Sequence, residues 1–252
     1  MAGHSKWANI KHRKSRQDAK RGAVFTKLAR AITIAARNGG GDPEMNFELR
    51  LAIDKAKEAN MPKDNIERAV KRGTGELKDG AEIEEITYEA YAPHGIALLI
   101  ECATDNRNRT VSDIKSTMSR SGGSMAEPGS VGWQFEQKGY ITINAGGQDF
   151  DELFMTAAEA GADDVVEGEE IFEIFTEKDV LHSVAGALEE AGYKLGDAKL
   201  DWVATNEIEL GQKEALKVLG IIEQLEDLDD VQTVYSNLNI SDEVMVAYEA
   251  AG

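Results

Sequence analysis

The sequence predicts an α+β fold in which a small helical bundle precedes two α/β units. Three observations lead to this prediction. Apolar residues recur at helical spacing as far as residue 73, residues 73–83 form a glycine-containing stretch of mixed charge, and short β-branched segments then alternate with helical ones. With 252 residues, of which 42% are hydrophobic, the chain is long enough for two or three small cores.

Three helices are expected before residue 80. The first has apolar side chains at steps of three and four, and a glycine triplet ends it. For the second helix we expect Asp42 as the N-cap, with Pro43 at the first helical position. The third follows Pro62 and is expected to end with Gly73 as its C-cap. Short connections between short helices indicate an N-terminal three-helix bundle, assigned to residues 1–80.

Strands and helices alternate after residue 80. Residues 140–203 read β-α-β-β-α-β, which is the order of a ferredoxin-like unit. The flanking pieces read β-β-α-β and β-α-β, and together they form a second such unit with one extra N-terminal strand. We therefore predict two ferredoxin-like α/β domains, in which residues 137–204 are inserted into a domain made of residues 81–136 and 205–248.

Two local details of this scheme are also predicted. Residues 131–135 have the composition of a short strand. Thr110 and Asp113 form a capping pair, so a helix is expected from Thr110 to Ser121, with Gly122 after its end.

Charge is divided unevenly along the chain. Residues 1–37 hold ten basic side chains and one acidic one, a net +9; residues 38–78 balance at zero; residues 79–252 hold ten basic and thirty-seven acidic side chains, a net −27. A dense run of cations is typical of a surface that binds phosphate, because neutralised phosphates release counterions. The predicted nucleic-acid contacts are Lys6, Trp7, Lys11, His12, Arg13, Lys14, Arg16, Lys20, Arg21, Lys27, Arg30 and Arg37.

Most of these contacts lie in the basic segment, which we define as residues 3–21. Trp7 lies among its cations, where an indole can stack on an unpaired base. The alternative is a solvated tail without a binding role. Lys27, Arg30 and Arg37 fall largely off the apolar stripe of the first helix and are expected on its solvent face.

Two further sets of cations have alternative interpretations. Arg107 and Arg109 precede a helix and could contact a phosphate together with free backbone N–H groups. Alternatively, they pair with nearby carboxylates. The cations of the third helix could either extend a phosphate-binding face or form ordinary surface pairs. These cations are Lys63, Arg68, Lys71 and Arg72.

No catalytic, metal or cofactor motif is found, and none is expected to be present. The acidic cluster at residues 226–230 is interpreted as a solvated face, like the other acidic clusters of the chain. Acidic faces of this kind would suit a basic protein partner, and they should keep this part of the chain away from a polyanion. Cys102 is expected to be a buried apolar residue. No stretch is long enough to span a membrane, so a cytoplasmic location is expected.

Several motifs resemble the YebC/PmpR family. They are GHSKWANIKHRK near the start, RLAIDKAKEANMPKDNIERAVKRG at residues 50–73, YEAYAPHG at residues 88–95 and TDNRNRT at residues 104–110. The resemblance runs in order from residue 3 to about residue 240. It implies a non-enzymatic, three-domain cytoplasmic protein, usually described as a probable transcriptional regulator. Some members, including mitochondrial relatives, are instead regarded as translation factors that act at the ribosome.

Two hypotheses about function follow. The first is a regulator of gene expression that binds DNA through its basic N-terminal region. The second is a ribosome-associated translation factor that binds ribosomal RNA, since an extended basic segment with one aromatic residue suits a folded RNA crevice. Neither hypothesis specifies an oligomeric state.

Overall fold

The computed structural model describes residues 21–77, 81–168 and 170–251. Three helices come first: α1 (Arg21–Gly39), α2 (Phe47–Glu58) and α3 (Lys63–Gly73). They share a core of buried apolar side chains, which are Ile32, Ala35, Ala36, Leu49, Ala56, Met61, Ile66 and Ala69. The predicted three-helix bundle is therefore confirmed.

The predicted start of α2 is wrong. The helix begins at Phe47, because the side chain of Asn46 accepts a hydrogen bond from the backbone N–H of Leu49 at 3.1 Å and so acts as the N-cap. Asp42 instead accepts a hydrogen bond from the backbone N–H of Glu44 at 3.0 Å. The Asp-Pro pair therefore forms a turn ahead of the helix.

The end of α3 also differs from the prediction. Gly73 is the last helical residue, and Thr74 is the C-cap. A Cβ atom on Gly73 would lie 2.3 Å from the carbonyl oxygen of Thr33 and 2.7 Å from the Cβ of Ala36, both in α1. Glycine at this position therefore allows α3 to lie close against α1.

The rest of the described chain alternates strands and helices. In chain order the elements are β1 (Glu84–Tyr91), β2 (Ala97–Thr104), α4 (Arg107–Ser121), β3 (Ser124–Met125), β4 (Phe135–Asn144), α5 (Phe150–Ala160), β5 (Asp164–Val166), β6 (Ile171–Thr176), α6 (Leu181–Glu190), β7 (Leu195–Ala204), β8 (Ile208–Glu209), α7 (Gln212–Glu226), β9 (Val231–Ser236), β10 (Leu238–Asn239) and α8 (Asp242–Ala251). We call β4 to β7 with α5 and α6 the inserted unit, and the remaining elements between β1 and α8 the outer unit.

The inserted unit is ferredoxin-like. Its strands form one antiparallel sheet in the order β5-β6-β4-β7, and the chain follows the sequence β-α-β-β-α-β. Both helices pack on one face of this sheet, and their buried side chains Leu153 and Val184 share a core with Ile141 and Ile174. The predicted α+β class is confirmed by this sheet together with the bundle and the outer unit.

The outer unit is built from chain on both sides of the inserted unit. Its sheet has the order β3-β1-β2-β9, and Leu99 of β2 pairs with Tyr235 of β9. Helices α4 and α7 cover one face, where Ile114 and Leu219 pack against Ile100. Antiparallel pairing thus joins segments that are far apart in sequence. The exact domain boundaries given above stay predictions.

The outer unit departs from a regular ferredoxin-like sheet in one respect. The extra N-terminal strand β1 lies between β3 and β2, in the place that the third strand of the motif would take. Strand β8 instead pairs in parallel with β10 in a separate two-stranded sheet. Strand β10 and helix α8 were not predicted.

Residues 131–135 do not form the predicted strand. They contain a short 3₁₀ helix, Gly132–Gln134, and β4 begins at Phe135. The cause is Glu89 of β1, whose carboxylate accepts hydrogen bonds from the backbone N–H groups of Gly129 at 2.6 Å and Gly132 at 3.0 Å. These bonds hold the segment as a loop. Its end at Phe135 pairs with Ala204, so the inserted unit begins and ends at neighbouring residues.

The two units also pack against each other. The face of the outer sheet opposite its helices presents Leu99 and Tyr235, which lie in one cluster with Phe135 and Trp202. Beside this cluster, Glu101 accepts hydrogen bonds from the indole N–H of Trp202 at 3.0 Å and from the hydroxyl of Tyr235 at 3.1 Å. Burial raises the pKa of Glu101.

Helix α2 joins the bundle to the inserted unit. Leu51 belongs to the core of the inserted unit, whereas Leu49 belongs to that of the bundle. Arg50 forms an ion pair with Glu189 of α6 at 2.9 Å, and Lys55 pairs with Asp197 of β7. The bundle therefore has both apolar and charged contacts with the α/β part. Along the described ranges, no helix is long and apolar enough to cross a bilayer.

Candidate nucleic-acid interface

The predicted contacts fall on both sides of the first described residue. Eight of them lie outside the described residues: Lys6, Trp7, Lys11, His12, Arg13, Lys14, Arg16 and Lys20. Arg21 begins α1, and only its backbone is described. The structure thus locates the point where the basic segment joins the fold, which is the N-terminus of α1.

Lys27 and Arg30 do not lie on a free solvent face, so this expectation is corrected. The ammonium group of Lys27 donates to the carbonyl oxygen of Glu226 at the end of α7. The guanidinium of Arg30 donates to the carbonyl oxygen of Asp229 and forms an ion pair with Asp230 at 2.8 Å. The side chain of Arg30 is only 12% exposed. Carbonyl groups at a helix C-terminus attract cations, which explains why α1 docks at this place.

Asp230 is the centre of this contact. Besides Arg30, its carboxylate accepts hydrogen bonds from Arg109 at 2.7 Å and Thr110 at 2.8 Å in α4, and from Thr104 at 3.2 Å at the end of β2. Burial alone would raise the pKa of Asp230, but the hydrogen bonds from Arg109 and Thr110 and the charge of Arg30 outweigh it, so the pKa is lowered. Asp230 therefore stays ionised and holds three elements together.

The acidic cluster at residues 226–230 is thus only partly solvated, which corrects its interpretation. Asp230 and Glu226 are buried, whereas Asp227 and Asp229 are exposed. Sequence reasoning did not distinguish them, because the partners of Asp230 come from residues more than a hundred positions earlier. The signal that was missed is the position of Asp230 between α7 and β9, because a side chain next to a buried strand is itself enclosed.

Arg37 lies at the other end of α1 and is exposed. It donates to the carbonyl oxygen of Ile83 and pairs with Glu85 of β1 at 2.9 Å. All three predicted contacts of α1 beyond Arg21 therefore have partners in or next to the outer unit.

Arg107 and Arg109 form pairs with carboxylates, the second of the two interpretations. Arg107 pairs with Glu84, and Arg109 pairs with Asp105 and Asp230. Hydrogen bonds to Asp230 and Asp105 raise the pKa of Arg109. The helix cap is also corrected: α4 begins at Arg107, because Asn106 accepts a hydrogen bond from the N–H of Arg109 at 3.1 Å. A phosphate contact by these arginines stays a prediction.

The cations of α3 have a different environment. Lys63 is 87% exposed and pairs with Glu67 one turn along the helix at 3.5 Å. Arg72 donates to the carbonyl oxygen of Ala81 at 2.6 Å, and Arg68 and Lys71 are exposed. Surface pairing and a phosphate-binding face are both compatible with these positions.

The described residues offer few other groups that could bind a metal ion or act as a nucleophile. Within the ranges that the structure covers, no three His, Cys, Asp or Glu side chains are grouped so that they could hold a metal ion. Cys102 is buried, as predicted, and burial raises the pKa of its thiol to about 12. A thiol with such a pKa is a poor nucleophile at neutral pH.

Two family models match the chain. One, described as the TACO1/YebC protein N-terminal domain, matches residues 5–76, and the other, described as the TACO1/YebC second and third domain, matches residues 83–238. Together they cover most of the basic segment and most of the two α/β units.

Similar proteins span the same length. A probable transcriptional regulatory protein of Chloroflexus aggregans is 53% identical over 99% of this chain and 100% of its own length. One of Halothermothrix orenii is 51% identical over 97% of this chain and 98% of its own. A conserved hypothetical protein from Aquifex aeolicus, known from its crystal structure, has 43% sequence identity with this chain. The two structures match with a TM-score of 0.82 over 89% of this chain and 93% of that one.

Proposed function

Because the chain belongs to the TACO1/YebC family, we propose that it is a non-enzymatic regulator of gene expression in the cytoplasm, which binds DNA through its basic N-terminal region. The names of its relatives support the regulatory part of this proposal, since they are called probable transcriptional regulatory proteins.

One observation carries the proposal, namely the separation of charge along the chain. Residues 1–37 have a net charge of +9, whereas residues 79–252 have a net charge of −27. A polyanion is attracted by the first part and repelled by the second. The protein therefore approaches nucleic acid with its N-terminal end.

The contacts of α1 support a division of labour among the cations. Lys27 and Arg30 hold the helix against the C-terminus of α7, so both cations already have partners within the protein. The basic segment, whose cations other than Arg21 precede α1, supplies the phosphate contacts. Docking of α1 on the outer unit fixes the point at which the basic segment joins the fold.

The test is the salt dependence of binding to a labelled DNA duplex, measured by fluorescence anisotropy. If about six cations of the basic segment meet phosphates, log K falls against log salt with a slope of roughly −5. Deletion of residues 1–21 is expected to remove most of this slope and to leave thermal unfolding almost unchanged. A truncated protein that keeps full affinity would contradict the proposal.

A second candidate function is binding of ribosomal RNA as a translation factor, and Trp7 is the observation that favours it. An indole between cations can stack on an unpaired base, which a duplex does not offer. For Trp7→Ala we expect a loss of about 1–3 kcal/mol on single strands and little loss on a duplex. Crosslinking in cells then separates the two functions: ribosomal RNA at one site indicates the translation factor, and promoter DNA indicates the transcriptional regulator.

A further inference from the structure

The acidic part of the chain neutralises most of its own cations. Residues 79–252 hold ten basic side chains against thirty-seven acidic ones. Six of the ten contact a carboxylate or an amide oxygen, as expected where acids are in such excess. These six are Arg107, Arg109, Lys138, Lys178, Lys194 and Lys199.

The other four cations lie on two neighbouring helices of the outer unit. They are Lys115 and Arg120 on α4, and Lys213 and Lys217 on α7. All four are exposed, and none has a side-chain hydrogen bond or ion pair to any residue that the structure describes. Helices α4 and α7 pack together on one face of the outer sheet. Within a strongly acidic region, the cations without partners are therefore confined to one layer of helices.

Two of these cations share a groove between the helices. Arg120 and Ser121 line it from α4, and Lys217, Ile221 and Gln224 line it from α7, around a volume of about 480 Å³. No acidic side chain belongs to the described lining of this space. We call it the basic groove.

The acidic residues of the two helices do not line the basic groove. They are Asp113, Glu214, Glu223 and Glu226. Asp113 lines a separate cleft beside Asp227, and Glu223 accepts a hydrogen bond from the hydroxyl of Tyr248 at 2.8 Å. At physiological salt the field of a charge is screened over about 8 Å, so a ligand responds mainly to the nearest side chains. The basic groove is therefore a local exception to the repulsion of polyanions by the acidic part.

The lining suits a phosphate better than a base or an apolar side chain. A guanidinium and an ammonium group provide positive charge, and a hydroxyl and an amide provide further hydrogen-bond donors. Ile221 is buried, and the described lining contains no aromatic ring on which a base could stack. A protein partner would need an apolar centre in its interface, which this groove does not offer.

The basic groove also lies close to the point where the basic segment joins the fold. Lys27 of α1 donates to the carbonyl oxygen of Glu226, and Gln224 lies two residues before Glu226 on α7. With a rise of about 1.5 Å per helical residue, Arg21 and Lys217 lie within about 30 Å of each other. At about 3.4 Å per base pair, this distance corresponds to about nine base pairs. A nucleic acid of moderate length can therefore contact both places at once.

We propose that the basic groove is a second contact for the phosphate backbone of a nucleic acid, in which Arg120 and Lys217 bind phosphates of a molecule that the basic segment also holds. This inference rests on the proposed nucleic-acid-binding function and extends it from the N-terminal region to a defined place on the outer unit. Because the groove contacts the backbone, it adds affinity without sequence preference and orients the nucleic acid across α4 and α7.

The experiment compares two double substitutions that remove the same charge. Arg120→Gln with Lys217→Gln alters the groove, whereas Lys178→Gln with Lys194→Gln alters exposed cations of the inserted unit. Binding of the full-length protein to a labelled duplex of about twenty base pairs is measured by anisotropy at several salt concentrations. We expect the groove variant to bind about tenfold more weakly at about 0.1 M salt, with a slope of log K against log salt reduced by about 1.8. The control should change the slope by less than about 0.4, and equal changes in both variants would overturn the proposal.

A third variant keeps the charge of the groove. Arg120→Lys with Lys217→Arg retains both cations at exposed positions, so it should keep the slope within about 0.4 of the wild-type value. Thermal unfolding of all three variants checks that each is folded. If the charge-conserving variant lost as much of the slope as the groove variant, the contact with phosphate would be refuted.

Two comparisons separate this proposal from its neighbours. Polyglutamate stands for an acidic protein segment, and if its binding rather than that of the duplex depends on Arg120 and Lys217, the proposal is wrong. If Lys11→Gln in the basic segment reduces the slope and the groove variant does not, the groove fails and the proposed function stands. If the wild-type protein binds no nucleic acid, both fail.

Discussion

Helices α1 and α3 lie side by side and carry four basic residues each, but these residues have different surroundings. Those of α1 are Arg21, Lys27, Arg30 and Arg37, and those of α3 are Lys63, Arg68, Lys71 and Arg72. Beyond Arg21, each cation of α1 contacts a carbonyl oxygen or carboxylate in or next to the outer unit. The cations of α3 are mostly exposed. The number of cations on a helix therefore does not identify its binding face.

The difference has a physical cause in what each helix faces. The first half of α1 lies against the C-terminus of α7, where unpaired carbonyl groups and Asp230 concentrate negative charge. Helix α3 packs against α1 and contributes Ile66 and Ala69 to the bundle core. The cations of α1 that face the outer unit therefore anchor the bundle, whereas most cations of α3 are exposed.

The largest effect is expected when the anchor of α1 is removed. Asp230→Ala leaves Arg30 and Arg109 without their shared carboxylate in a nearly enclosed place, which costs about 3 kcal/mol of unfolding free energy. Urea denaturation measures the loss. Asp229→Ala is the matched control, since this exposed neighbour accepts from Arg30 through its backbone and should change stability by less than about 0.5 kcal/mol. Equal losses would show that the carboxylate of Asp230 is no anchor.

A smaller effect is expected when the spacing of the two helices is changed. Gly73→Ala places a methyl group 2.3 Å from the carbonyl oxygen of Thr33, so α3 must move away from α1 at a cost of about 2 kcal/mol. Gly220→Ala in α7 is the control, because its added Cβ meets nothing within 4 Å and helix propensity should give a gain of about 0.5–1 kcal/mol. Thermal unfolding of both variants distinguishes a close helix contact from a general effect of glycine. If both substitutions stabilised the protein, the close contact between α1 and α3 at Gly73 would be refuted.

The smallest effect is expected on nucleic-acid binding itself. Arg30→Gln removes a cation that the outer unit already neutralises, so the slope of log K against log salt should change by less than about 0.3. Lys11→Gln removes a cation of the basic segment and should reduce the slope by about 0.9. Anisotropy titrations of both variants at several salt concentrations decide the point. A reduction of about 0.9 for Arg30→Gln would move this residue from the anchor to the binding face.

The sequence was sufficient for those features that depend on local pattern. Helix α5 has the predicted bounds, because its apolar spacing and its Asp149 cap leave no competing start. The β-α-β-β-α-β order of the inserted unit was also predicted, since each element there has its own periodicity. The family could be recognised from contiguous motifs.

Features that depend on contacts distant in sequence were not predictable in this way. The sheet position of β1 follows from its pairing with both β2 and β3, for which a single sequence carries no register signal. The loop before Phe135 depends on Glu89, some forty residues earlier. The anchoring role of Arg30 depends on Asp230, which lies at the far end of the chain. Charge pattern indicated that cations cluster near the start, but only the fold shows which of them are already neutralised.

The pairing of Phe135 with Ala204 has a consequence for how the outer unit is connected. Directly opposite residues of an antiparallel pair are about 5 Å apart, so the whole inserted unit spans a gap that a tight turn could close. In the outer unit, the residues between Phe135 and Ala204 are therefore equivalent to a hairpin loop whose two ends lie side by side. Insertions or deletions within the inserted unit therefore change its own surface without altering the distance that β2 and β9 must bridge to form their sheet.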